Sequence, residues 1–208
     1  MIEHTYTVAD VPALAALHRR AFPDFFLSRL DEPFLRQLYL GYTSDPDAVV
    51  SVARAQDGRV VGACVGTTHP SAFFSRLLKR RFFGFLGASL LAVLRNPRIA
   101  PRLLAALTYR GDVPLGLDDA LLSSLCVDPD AQNEGIGRAL DDAWCVRAAE
   151  LGAQTAFLTT DTDGNDAVNR FYQRRGWQLS DQYVTRQGRR INRYRRKLAP
   201  AGKESNDG

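Results

Sequence analysis

The apolar and polar positions divide this chain into short strands and amphipathic helices in mixed order. Residues 2–8 alternate and predict a first strand. The spacing then becomes helical: Val11, Leu14, Leu17, Ala21 and Phe22 share one face, Asp10 stands at the cap and Pro12 in the first turn. The stretch 22–29, FPDFFLSR, breaks that pattern, and a second helix is expected over 32–42. Residues 49–55 and 60–67 read as two strands joined at Gln56-Asp57-Gly58, where Asp-Gly suits a type I′ turn. Gly62 and Gly66 weaken the second strand and point to a bulge or the close approach of a ligand. Residues 120–127 form the next strand. Residues 135–151 form a helix with Ile136, Leu140, Ala143, Trp144, Ala148 and Leu151 as its apolar stripe and Gly152 as its stop. A strand over 155–160, a short helix over 166–175 ended by Gly176, and a hairpin of 177–185 and 190–198 around Gln187-Gly188 complete the pattern.

Between residues 70 and 115 the character changes. Residues 73–94 read as helix and 101–109 as the start of another after Asn96-Pro97, so a helical hairpin is expected between two strands. From Gly58 to Gly111 there is no Asp or Glu, but there are nine Lys or Arg: Arg59, Arg76, Lys79, Arg80, Arg81, Arg95, Arg98, Arg102 and Arg110. A solvated helix face ordinarily mixes both signs. The expectation for 70–115 is therefore contact with an anionic ligand or, peripherally, with a membrane; the competing readings are a homodimer interface and an extra core layer. Its longest uncharged run, 82–94, has 13 residues, short of the roughly 20 a spanning helix needs.

With 208 residues, 45% of them hydrophobic, the chain supports one core, and a single domain over 1–198 with a polar, disordered tail at 199–208 is expected. A net charge of +4 gives no argument for a nucleic-acid partner. Cys64, Cys126 and Cys145 lie in apolar segments. Their odd number and the absence of a secretory leader suggest buried free thiols in a reducing cytoplasm. His4, His18 and His69 are scattered and give no metal-ligand spacing.

The chemistry concentrates in residues 121–140, LLSSLCVDPDAQNEGIGRAL. An apolar strand runs into the turn Asp128-Pro129-Asp130, and Gly135 and Gly137 then open a helix. Glycines there let backbone pass close to a ligand, and the helix N-terminus favours an anion by about 0.3–1 kcal/mol. A dinucleotide fingerprint would need glycine at Leu140, and the Lys-Ser/Thr of a Walker loop is absent. The actual run, Gln132-Asn133-Glu134-Gly135-Ile136-Gly137, resembles the Q/R-x-x-G-x-G/A pyrophosphate loop of the GNAT acyl-CoA-dependent acetyltransferases. About 30 residues on, Asn165 to Trp177 resembles that superfamily's N-x-x-A-x-x-x-Y-x-x-x-G-F segment, with Val168 for the usual Ala and Trp177 for the usual Phe.

The resemblance implies an α/β (α+β) GNAT fold: a central mixed, mostly antiparallel sheet flanked by helices, here carrying the helical-hairpin insertion. It implies transfer of the acetyl group of acetyl-CoA to an amine in a ternary complex. By likeness, the backbone of Gly135, Gly137, Arg138 and Ala139 cradles the pyrophosphate and Gln132, Asn133, Glu134 and Ile136 frame it. Leu125, Cys126 and Val127 then flank the pantetheine arm, Asn165 and Asn169 touch the cofactor, and Tyr172 is the general acid. Phe25 and Phe26, in the loop that forms part of the acceptor site in such proteins, are expected in the acceptor wall, though a role as core aromatics fits them equally. Asn165 also suits a helix cap. Ser123 and Ser124 stand where many members carry a carboxylate, so no general base is assigned; Ser124 is a substrate-side position through which water could relay a proton. Asp118 and Asp119 precede the strand. A likeness of 22–42 and the insertion to GNAT proteins of bacterial surface-polysaccharide synthesis suggests an amino-sugar acceptor, with other small-molecule amines and protein lysines open. A CoA-binding regulatory module and an O-acyltransferase are the alternative functions.

Overall fold

The computed structural model describes residues 1–23, 26–97, 119–185 and 188–199. Within them lie seven strands: β1 (Ile2–Glu3), β2 (Ala48–Arg54), β3 (Val60–Thr67), β4 (Ala120–Val127), β5 (Thr155–Asp161), β6 (Gln178–Val184) and β7 (Arg190–Lys197). They form one sheet in the order β1–β2–β3–β4–β5–β7–β6, antiparallel throughout except between β4 and β5. Helices α1 (Val11–Ala21), α3 (Asp31–Tyr42) and α4 (Pro70–Arg95) pack a core on one face, with the short α2 (Phe26–Arg29) between α1 and α3. Helices α5 (Ile136–Glu150) and α6 (Asp166–Arg174) enclose a second core on the other.

Most expected elements form, and the departures have local causes. The first strand stops at Glu3. Asp10 draws the chain into a 3₁₀ turn at Val8–Asp10: its carboxylate accepts from Thr7 N and Oγ1 at 2.8 and 3.1 Å and pairs with Arg54 at 3.0 Å. Asp10 thus organises the turn before α1, and its side chain does not cap that helix. The β2–β3 turn is not type I′, because only Gly58 takes a positive φ, at 83°. Gly58 N donates to Ala55 O and Ala55 N to Arg59 O, the pattern of a type I turn followed by a glycine bulge.

Gly62 and Gly66 owe their identity to α5. A Cβ on Gly62 would lie 2.8 Å from Leu140, and one on Gly66 2.1 Å from Leu121 O and 2.6 Å from the Trp144 ring. The helix therefore rests directly on β3, and Trp144 Nε1 reaches through to Val49 O at 3.1 Å. A bulge lies in the same place: Val65 pairs with Ser124 and Gly66 with Leu122, leaving Ser123 as the extra residue of β4.

The helix of the insertion is longer than its sequence pattern suggests and breaks at Arg81, whose φ and ψ are −118° and 19°. Its basic residues meet acids from outside the acid-free stretch. Arg76 pairs with Asp45 at 2.6 Å and with Asp47, just beyond the C-terminus of α3. Arg95 pairs with Asp31, the first residue of α3, at 2.5 Å. The two antiparallel helices are thus clamped at both ends. Between the clamps Tyr42 stacks on Phe73 at 4.5 Å and Phe34 meets Phe85 at 4.8 Å. Phe73 and Phe85 are core residues, whereas Phe82 and Phe83 are exposed. The second arm expected for the hairpin and the tail from residue 200 lie outside the described residues.

Burial governs the titratable groups of these cores. Cys64, Cys126 and Cys145 are buried thiols, and burial pushes Cys126 and Cys145 up to about 12, which keeps them protonated packing residues. His18 is 2% exposed, its Nδ1 lies 3.0 Å from Tyr39 Oη, and burial pushes its pKa down from 6.5 to about 4. The unfolded chain then takes up a proton near pH 6.5 and the folded imidazole only near 4, so stability is full above 6.5 and falls as the pH drops toward 4. The loss should reach about 3 kcal/mol. Urea titrations across this range should show that loss in the wild type, and the His18→Gln protein should lack this component. In the same assay Gly66→Ala should destabilise by at least about 1–3 kcal/mol, because the added methyl meets backbone.

Candidate active site

The site begins where the sheet divides. β4 and β5 pair only at Ala120↔Ala156 and Leu121↔Phe157. Beyond Leu121 they diverge, while β4 stays bonded to β3 along its other edge. Asp128 N donates to Val61 O at 2.8 Å, so alternation turns Cys126 toward β3 and the N–H and C=O groups of Leu125 and Val127 toward the gap. The Cys126 side chain is buried in the α1–α3 core. Leu125 and Val127 instead pack at the edge of the opposite core, beside Phe171.

The loop at the mouth of the gap is held from the far side of the sheet. Arg20 of α1 donates to both Asp128 oxygens at 3.0 and 2.8 Å and to Asp130 at 2.8 Å. Asp128 Oδ1 in turn accepts from Asp130 N at 3.1 Å. Gln132, Asn133, Glu134 and Gly135 are exposed. Asn133 and Gly135 both have positive φ, 69° and 77°, which curls the backbone just ahead of α5. A Cβ on Gly135 would meet nothing within 4 Å, so glycine serves the left-handed conformation there rather than close packing.

No side chain caps α5. Its first turn therefore presents the N–H groups of Ile136, Gly137 and Arg138 without intrahelical partners. Ala139, expected with Gly135, Gly137 and Arg138 in the cradle, is different: its N–H donates to Gly135 O at 3.0 Å, the first bond of the helix ladder. A Cβ on Gly137 would lie 3.7–3.8 Å from the side chains of Val127, Leu125 and Phe171, an ordinary contact distance. Arg138 is exposed, 3.9 Å from Asp142.

α6 forms the other wall. Tyr172 is 7% exposed and sits among Phe171, Trp177 and Tyr194 at ring distances of 5.1, 6.0 and 6.4 Å. Burial holds its hydroxyl well above the ordinary phenol value, so it keeps its proton at neutral pH. Two polar knots fix the helix. Asn169 Oδ1 accepts from Thr160, Asn192 and Tyr194 at 2.8, 2.9 and 3.0 Å, and its Nδ2 donates to Asp161 O and Asn165 O at 3.0 and 2.9 Å. Its amide is thus fully engaged within the protein. Asn165 stands at the N-cap without a side-chain cap bond, and its Nδ2 reaches Thr160 Oγ1 at 3.4 Å. At the other end the buried Asp141 of α5 accepts from Trp177, Arg175 and Arg196 at 3.0, 3.2 and 3.1 Å; burial raises its pKa, and those three donors work against that rise.

The acceptor side is less complete. Phe25 lies outside the described residues, as does the Phe26 side chain. Ser124 Oγ is buried without a hydrogen-bond partner. Asp119 is buried, accepts from Thr155 and pairs with Arg195 at 2.5 Å, so it is tied to β5 and β7; Asp118 lies outside the described residues. Sequence reasoning missed Arg20, Phe171 and Asp141. Phe171 was adjacent to the tyrosine already singled out, whereas Arg20 and Asp141 carry no local signal.

Among solved structures, the chain is similar to the ribosomal-protein-S18-alanine N-acetyltransferase of Escherichia coli, with 17% identity over 100% of this chain and 99% of that one and a TM-score of 0.58. It is also similar to the ribosomal-protein-alanine N-acetyltransferase of Brucella melitensis, with 18% identity, 95% and 99% coverage and a TM-score of 0.61. The likeness to an aminoglycoside 6'-acetyltransferase type Ii runs at 14% identity, 96% and 98% coverage and a TM-score of 0.61. At these identities the likeness shows the fold. No curated protein matches the chain. The model of the acetyltransferase (GNAT) family matches residues 11–177, a span that holds β4 and β5, the glycine loop and Tyr172: the chain belongs to that family and is an acyltransferase.

Proposed function

We propose that this protein transfers the acetyl group of acetyl-CoA directly to a primary amine within a ternary complex, using the gap between β4 and β5 as the cofactor cleft. The reading rests on one observation above the others: the parallel pair ends at Leu121↔Phe157, and the uncapped start of α5 opens beside the gap this leaves. Acetyl-CoA supplies a thioester whose sulfur departs as a thiolate when the amine nitrogen bonds the acetyl carbon. The N–H groups of Ile136, Gly137 and Arg138 bind the pyrophosphate, with the helix dipole behind them. Val127 bonds the pantetheine arm as a further strand would. Leu125 N–H faces the acetyl carbonyl, a contact worth about 2.7–4 kcal/mol in the transition state. Tyr172 donates its proton to the departing sulfur and regains one from solvent. No carboxylate of β4 or its flanks serves as base in this scheme: Asp119 and Asp128 are held by arginines, and the amine proton leaves to water.

The acceptor is a small-molecule amine, with an amino sugar as the preferred class. An inert CoA-binding module would share the cleft but not the turnover. Acetyl-CoA consumption with a panel of amino sugars, polyamines and peptides separates the two: the enzyme reading requires acceptor-dependent release of free CoA.

Two substitutions test the roles. Gly137→Val puts a branched side chain at a loop position whose motif admits nothing larger than alanine, with Val127, Leu125 and Phe171 already at contact distance from a single methyl. Calorimetric affinity for CoA should fall by about 1–3 kcal/mol or more, the usual penalty for overpacking, while the circular dichroism stays that of the wild type. Unchanged affinity would place the cofactor elsewhere. Tyr172→Phe keeps the ring contacts and removes the proton. Its turnover number should drop by about 10²–10⁴ with little change in acetyl-CoA affinity; wild-type turnover would assign the proton to water.

A further inference from the structure

The half of α4 beyond Arg81 is apolar on both sides. Phe85, Ala88, Ser89 and Ala92 are buried against the domain. The opposite side shows Phe83 83%, Leu94 71%, Leu90 60%, Phe82 55% and Leu86 54% exposed. A surface helix ordinarily turns a polar face to water. The first half of α4 largely obeys that rule, with Ser71, Ser75, Lys79 and Arg80 outward and Leu78, 53% exposed, as its one large apolar exception. From the break in the helix to Leu94 the exposed side is apolar throughout, and it forms the kind of contiguous patch that marks an interaction site.

The charges beside the patch select its occupant. α4 carries Arg76, Lys79, Arg80, Arg81 and Arg95 and no acidic residue. Arg76 and Arg95 are matched by aspartates of the α3 clamps. The three consecutive cations at the edge of the patch are not. Lys79 makes no ion pair among the described residues, Arg81 approaches the neutral Gln37 at 3.5 Å, and Arg80 lies 3.8 Å from an Asp45 that Arg76 already holds. Two copies pairing symmetrically through α4 would leave Lys79, Arg80 and Arg81 of each helix without an acid to meet, since α4 carries none. An anionic bilayer surface satisfies both features: the phenylalanines and leucines enter the headgroup boundary, and Lys79, Arg80 and Arg81 meet lipid phosphates. No helix among the described residues is long and apolar enough to cross a membrane, so the contact is made lying flat. We propose that the face bearing Phe82, Phe83, Leu86, Leu90 and Leu94 docks this protein on anionic membranes.

The test is sedimentation of the full chain with vesicles of phosphatidylcholine alone or mixed with phosphatidylglycerol, at low and high salt, alongside light scattering without lipid. The protein should pellet with the anionic vesicles and be released as salt rises. Lys79→Gln should weaken binding about fivefold, the factor equivalent to ~1 kcal/mol per basic residue near such a surface. A Phe83→Asp/Leu90→Asp double variant should abolish binding while keeping the wild-type circular dichroism. Leu94→Asp provides a second, single-site check on the same face. Failure to bind either vesicle, or equal binding to neutral and anionic vesicles, would overturn the proposal. So would a lipid-free dimer that the double variant splits into monomers, which would make the face an interface between copies of this chain.

Discussion

Much of the molecule follows from how closely α5 lies on β3. Two glycines on that strand remove the side chains that would lift the helix, and the Trp144 ring fills the space so created. With its body held there, the first turn of α5 falls beside the end of β4, where the strand has already left β5. The same glycine that admits Trp144, Gly66, lies at the register shift of β4. One contact thus seats the helix whose uncapped start opens on the gap and adjoins the irregularity in the strand that lines it. It has little tolerance, since a single methyl at either glycine would force the helix outward or the strand aside.

Dividing a sheet has a structural consequence that the polar knots answer. Past Leu121 the two halves no longer share strand hydrogen bonds, so α6 and β5 need other fastenings. Asn169 binds α6 to β5 and β7, and Asp141 binds α5 to the segment just after α6 and to β7. Asp141 is a case in which desolvation outweighs its donors, because its pKa stays raised beside two arginines. A buried ion network of this kind adds little net stability compared with apolar packing, but it accepts few alternative arrangements. What it fixes here is the position of Tyr172 relative to the start of α5. On the opposite face Arg20 does the same for the loop, joining α1 to Asp128 and Asp130 through charges 108 and 110 residues away in sequence.

The sequence carried the elements well because their periods were clean, as in β2, β3 and α5. The positive-φ turn at Gly135 and the helix bearing Tyr172 were legible because both lie in short local motifs whose spacing reflects backbone geometry. Three kinds of information were absent. Gly62 and Gly66 announced close approach, but nothing local said that the neighbour was a helix rather than a ligand. Asn169 looked like a cofactor contact because it lies one helical turn from Asn165; only the three-dimensional fold brings Thr160, Asn192 and Tyr194 to its oxygen. The end of the β4–β5 pairing had no signal either, since Leu125 to Val127 read as ordinary strand whichever edge is bonded.

The insertion shows most clearly why charge along a sequence differs from charge in space. A stretch without a single acid looked unneutralised, yet α3 brings Asp31 to one end of α4 and the turn beyond it brings Asp45 and Asp47 to the other. An exposed pair such as Arg95–Asp31 contributes only about 0–1 kcal/mol, and α4 is held chiefly by Phe73, Leu77 and Phe85 in the core. The ion pairs instead fix how far α4 sits along α3, because Arg76 meets Asp45 and Asp47 at one end while Arg95 joins Arg19 at Asp31 at the other. Once those aspartates are engaged, the positive charge left on α4 is confined to residues 79–81, immediately before the helix turns apolar on every side. Among the described residues the uneven distribution that composition suggested is therefore real, but it occupies one turn of α4; Arg98, Arg102 and Arg110 lie outside them.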